Sequence, residues 1–120
     1  MDDKKRFLIE IGTGTDLHGA DVTSAAVKAI RDAMSHCCMA GLKEVLGHSA
    51  KDVSLRIKLC CPHPEKIDLE AVRAPVSFYP SVEIVAEKGG AAEKGLHVPE
   101  IADGNTIIVV IAIITVYVPD

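Results

Sequence analysis

The chain is predicted to fold as an α+β two-layer sandwich. One mixed four-stranded sheet is covered by one long helix and a short second helix, in the order β-α-β-α-β-β. Three observations lead there. Apolar residues between 22 and 37 recur at helical spacing, the segments near 55 and 84 alternate apolar with polar, and the run 107–118 is rich in Ile and Val. A length of 120 residues fits one domain, 1–120. Hydrophobic residues make up 48%, ample for a core, but two Tyr, two Phe and no Trp leave that core to aliphatic side chains.

Residues 6–11 read as a first strand. A glycine-rich segment, Gly12-Thr13-Gly14-Thr15-Asp16-Leu17-His18-Gly19, comes next and reads as a loop. From Asp21 the period changes. Val22, Ala25, Ala26, Ala29, Ile30, Ala33 and Cys37 form one helical face, with Lys28, Arg31, Asp32 and Ser35 opposite. Asp21 or Thr23 can cap its start. The alanines point to close packing against a sheet. Gly41 breaks the helix, and 42–46 adds a short turn.

Residues 53–59 alternate as a half-buried strand, stopped by Pro62 and Pro64. Residues 68–74 read as the short second helix, with Pro75 and Pro80 restricting the backbone beyond it. Residues 82–87 form a third alternating strand. A loop opened by Gly89-Gly90 runs to Gly104. The last strand, 107–118, is apolar on both faces, so both faces should be covered. One helix covers one face only. A second copy of the chain is the simplest cover for the other, which makes a homo-oligomer the expected state.

Net charge is −4, with neither a basic stripe nor an aromatic ladder, so nucleic acid is not expected as a partner. The apolar run 107–118 is too short to cross a bilayer as a helix, and no membrane partner is expected. The N-terminus leads straight into a strand with no apolar signal core, so a cytoplasmic protein is expected. The adjacent cysteines Cys37-Cys38 and Cys60-Cys61 are read as reduced thiols. With His36 and His63 beside them they resemble zinc ligands. Adjacent residues on a helix or strand point apart, however, and the spacing fits no zinc module.

The segment 12–19 is the candidate site. It lacks the third glycine of a dinucleotide fingerprint and the lysine of a phosphate loop. Asp16 and His18 suit a divalent metal (Zn, Mn or Mg) or proton transfer, and are the candidate catalytic and metal-binding residues. Backbone N–H groups at Gly12, Gly14 and Gly19 could hold a small anionic ligand, and Glu10 could add a second carboxylate. The structural alternative has Asp16 capping a turn and His18 bonding backbone. Glu83, Glu87, Arg56 and Lys58 read as exposed charges, and His97 as a surface histidine of a loop that could close over a site.

The pattern GxGxDxHG, matched at Gly12, Gly14, Asp16, His18 and Gly19, resembles the hallmark of a family of small bacterial proteins with longer plant relatives and no assigned activity. That resemblance spans nearly the whole chain, including the segment near Pro62 and Pro64 and the closing Thr115-Val116-Tyr117-Val118. A local similarity links Asp16 and His18 to the metal-binding segment of the cyclodiphosphate synthase of isoprenoid biosynthesis. His48-Ser49-Ala50-Lys51-Asp52 faintly resembles that enzyme's further metal segment, although here the long helix comes first. Two functional classes therefore stand. One is a small oligomeric metal-dependent enzyme or anion-binding protein with its site at 12–19. The other is a non-catalytic assembly protein in which the glycines are a packing turn.

Overall fold

A computed structural model describes residues 4–101 and 104–120. Residues 1–3, at the head of the N-terminus, lie outside the described residues, as do 102–103 before Gly104. The elements are β1 (Lys4–Asp16), α1 (Val22–Ser35), α2 (Ala40–Glu44), β2 (Ser54–Cys61), β3 (Val82–Lys88), β4 (Ala91–Lys94) and β5 (Thr106–Pro119). They form the expected α+β two-layer sandwich on a mixed sheet. The sheet has five strands rather than four, in the order β1-β5-β2-β3 with β4 also on β5.

β5 lies antiparallel between β1 and β2, and only β2 and β3 are parallel. The unit β1-α1-β2 is therefore split, and the last strand of the chain fills the gap. A strand paired on both edges loses its backbone polarity to its neighbours, which suits the continuous apolar run of β5. Its even residues, Ile108 to Val118, are buried beneath the helices with Leu55, Ile57 and Leu59 of β2. Each fully buried Leu or Ile contributes roughly 1.5–3 kcal/mol of transfer free energy.

α1 starts where the period placed it but ends at Ser35, short of Cys37, and Gly41 lies inside α2 rather than breaking α1. Asp21 is the N-cap of α1, and the Asp21 carboxylate accepts from Ser24 N–H at 3.0 Å. Ala25, Ala26, Ala29 and Ala33 are buried on the sheet. They meet the two glycines of β1. A Cβ on Gly12 would overlap backbone atoms of Ala29 and Ala33, and one on Gly14 would overlap backbone atoms of Ala25 and Ala29. The helix thus rests on the strand at backbone contact.

Four other local readings are corrected. The segment 12–16 is strand, not loop, because Gly12 to Asp16 continue the ladder with Ala112 to Ile108. The short helix expected at 68–74 is a tight 3₁₀ stretch, Ala71–Val76, with Pro75 inside it. Proline removes the donor an α-helix would need there. The short turn expected at 42–46 is the one-turn helix α2. Finally, 89–104 is not all loop. β2 ends at Cys61, and the chain leaving β3 swings into the place this vacates beside Val109, forming β4. Gly90 makes the swerve at φ +67°, where a Cβ would overlap Val109 O.

Gly14→Ala forces a methyl into helix backbone and is expected to destabilise by about 3 kcal/mol, the upper end of overpacking costs. At Gly19 an added Cβ would meet only Asp16 Oδ2 at 3.5 Å. Gly19→Ala should therefore stay within about 0.5 kcal/mol of wild type, as surface changes do. Urea denaturation of the two variants measures this contrast.

Candidate functional site

β1 delivers Asp16 to the sheet edge just as the chain leaves it for α1. There the carboxylate accepts two backbone N–H groups, Gly19 at 3.1 Å and Asp21 at 2.9 Å. The chain can turn sharply because Ala20 sits in the left-handed region at φ 52°. Asp16 closes the turn and Asp21 caps the helix it leads into. The Asp16 carboxylate thus satisfies donors of the turn, and that of Asp21 one donor of the first helical turn.

His18 points its Nδ1 at Leu96 O, 3.3 Å away. In the tautomer with hydrogen on Nδ1 it donates that bond. The link ties the turn to the loop after β4. That loop does approach the site, as the sequence allowed, but through Leu96 and not through His97. Gly19 bridges to Thr106 at the start of β5. Lys28 reaches down from α1 and donates to Thr15 O at 3.0 Å. Asp16, His18, Asp21 and Lys28 line one open hollow of about 440 Å³.

Not every candidate gathers here. Gly12 and Gly14 are buried under α1, and their role is the close approach of the helix. Glu10 is six residues up the strand from Asp16, about 20 Å at strand rise. Its carboxylate instead holds His36 at 2.9 Å, at the C-terminal end of α1. Pairing Glu10 with Asp16 in one site is therefore corrected by strand geometry. His48 lines a different hollow of about 490 Å³ with Cys37, Cys38 and Tyr79.

The cysteine pairs lie apart. Cys37 and Cys38 edge that second hollow, whereas Cys60 and Cys61 end β2 beside Gly89 and Gly90. Strand alternation buries Cys61 completely and leaves Cys60 on the opposite face, 4.0 Å from Glu87. Burial pushes the thiols of Cys37, Cys60 and Cys61 up, with Glu10, Glu87 and Cys60 respectively adding to the shift. Among the described residues no group of three or more His, Cys, Asp and Glu is arranged to hold a metal ion.

Lys28 and Leu96 were not singled out from sequence. Lys28 carried a weak signal as a polar-face residue nearly two turns into the helix. Leu96 acts through its backbone carbonyl, and side-chain identity does not reveal which carbonyls face a neighbour.

A family model described as "Conserved hypothetical protein (Lin0512_fam)" matches residues 6–116. No curated protein matches the chain significantly. Among solved structures, the crystal structure of an FtsZ-like protein of unknown function from Nostoc punctiforme is similar, at 31% sequence identity and a TM-score of 0.83. The match covers 98% of each chain.

Two outcomes are expected at the site and the thiols. Asp16→Ala removes the acceptor of two exposed backbone donors and should cost about 0.5–1.5 kcal/mol, whereas Asp16→Asn keeps an acceptor oxygen and should recover part of it. Thermal unfolding measured by circular dichroism reads both. In the native protein a thiol reagent at mildly alkaline pH should label exposed Cys38 first and Cys61 last, because the thiolate is the reacting form. Mass spectrometry of the labelled peptides gives the order.

Proposed function

The chain belongs to the Lin0512 family of conserved hypothetical proteins, and from that premise we propose that it is a non-catalytic, self-assembling protein whose glycine-rich signature is a packing and closure device. One observation supports this reading: Asp16 through Oδ2 and His18 through Nδ1 each bond backbone groups that close the turn. Gly12 and Gly14 admit the helix, Asp16 takes two backbone amides, and His18 binds Leu96 O. The similar Nostoc protein is described as FtsZ-like and of unknown function, which brings no ligand to this chain. No helix of the described residues is long and apolar enough to cross a membrane. Four free cysteines suit a reducing compartment, and we place the protein in the cytoplasm.

A second reading keeps the hollow as a site for a divalent metal (Zn, Mn or Mg) or a small anionic ligand. It rests on the shared lining of Asp16, His18, Asp21 and Lys28. Thermal shift separates the two readings. A ligand that binds only the folded state raises Tm with its concentration. The assembly reading expects no rise with Zn²⁺, Mn²⁺, Mg²⁺ or phosphate, and a lowered Tm for Asp16→Ala and His18→Ala. A metal-dependent rise that both variants abolish would overturn it in favour of the second reading.

A further inference from the structure

We propose that the open face of the sheet docks a second copy of this chain, sheet upon sheet. The proposal rests on the assembly reading and names its surface. α1 and the 3₁₀ crossover that packs on it lie on the other face, where the buried core is. On the open face β5 presents Ile107, Val109, Ile111 and Ile113 in one row, with Ile9 and Ile11 of β1 alongside. Ile9 is 51% exposed and Ile11 55%. A sheet face that stays in water alternates to polar residues. This one keeps the run Ile107 to Ile113 of β5, with Ile9 and Ile11, apolar between polar residues of the flanking strands.

The extent fits a partner of this size. β5 runs 14 residues, about 45 Å at strand rise, and with β1 and β2 the face is about 14 Å wide. That projects to roughly 600 Å², close to the ~800 Å² per partner of a standard interface.

Charge identifies the partner. Arg6, Arg56 and Lys58 stand on this face around Thr115 and Tyr117. Glu83 and Glu87 stand on the same face, in register with Arg56 and Cys60, and Lys58 already reaches Glu87 at 3.7 Å. An anionic membrane or a nucleic acid would attract the cations and be repelled by the carboxylates. A second copy of the same face supplies both signs, as a two-fold interface requires. The apolar stripe with charges of both signs beside it has the anatomy of an interface core and rim.

The edge of β1 is the other place where copies could join, since unpaired strands invite pairing. Its outer edge is partly closed by the helix: Thr13 N–H donates to Asp32 at 2.9 Å and Thr15 O accepts from Lys28. The face is open where the edge is guarded.

Sedimentation velocity of the full chain over a concentration series tests the proposal. Wild type is expected as a dimer or a higher even oligomer. Ile11→Glu, at an already exposed position, and Ile113→Glu, on the central strand, should each at least halve the mass while circular dichroism shows a folded chain. Lys43→Glu on α2 should leave the mass unchanged. A wild type that stays monomeric at every concentration overturns the proposal. So does an oligomer that both folded face variants leave intact, because pairing through the β1 edge would survive Ile113→Glu. An oligomer lost in the face variants, together with a metal-induced Tm rise lost in Asp16→Ala, would uphold the face and overturn the non-catalytic reading. The two failures are thereby told apart.

Discussion

The contact between α1 and β1 is the constraint on which the rest of the molecule depends. Gly12 and Gly14 offer no side chain beneath Ala25, Ala29 and Ala33, so the helix settles to backbone distance on the strand. At that distance ordinary side chains reach further than they would from a helix at a normal separation of about 10 Å from its neighbour. Asp32 reaches Thr13 N–H, and Lys28 reaches Thr15 O. The same close seating brings the start of α1 down to the end of β1. The link between them is then so short that Asp16 must satisfy its amides. Packing, edge protection and turn closure are thus one arrangement with one cause.

The glycine-rich segment 12–19 changes meaning in that light. A pattern of glycines, an acid and a histidine looks like a ligand cradle when laid out in a line. In the fold its members separate by face and by distance along β1. The glycines face inward, Asp16 sits at the strand end, and His18 reaches the loop after β4 through Leu96. Glu10 turns to His36 at the opposite end of the helix. The chemistry that a short motif suggests depends on its residues converging. Here an extended strand, at about 3.3 Å per residue, sets Glu10 and the glycines Gly12 and Gly14 apart from Asp16 and His18, which share one hollow.

Much of the architecture was legible from residue order. The alanine and valine spacing of α1 predicted both the helix and its close approach to the sheet, and Asp21 was readable as its cap. The alternation in β2 and β3 predicted half-buried strands. Other features were not legible. β4 carries four exposed residues, Ala91-Ala92-Glu93-Lys94, with no apolar pattern. It is a strand only because β2 stops short and leaves β5 with an open edge. The stretch 12–16 looked like a loop because glycine is a poor strand former on its own, yet those glycines are required by the helix above them.

The sequence by itself determined the long helix and the strands β2, β3 and β5, the inner faces of α1 and β2, and the aliphatic character of the core. These are local quantities, set by the periodicity of a helix or strand and by the volume of its side chains. The tertiary structure alone decided that the last strand enters between β1 and β2. It also decided that the apolarity of β5 divides into a covered face and an open one, and that Asp16 Oδ2 and His18 Nδ1 meet backbone groups of Gly19, Asp21 and Leu96. Those outcomes depend on partners that are distant in the chain and on backbone groups that every residue carries alike, so no residue's identity announces them.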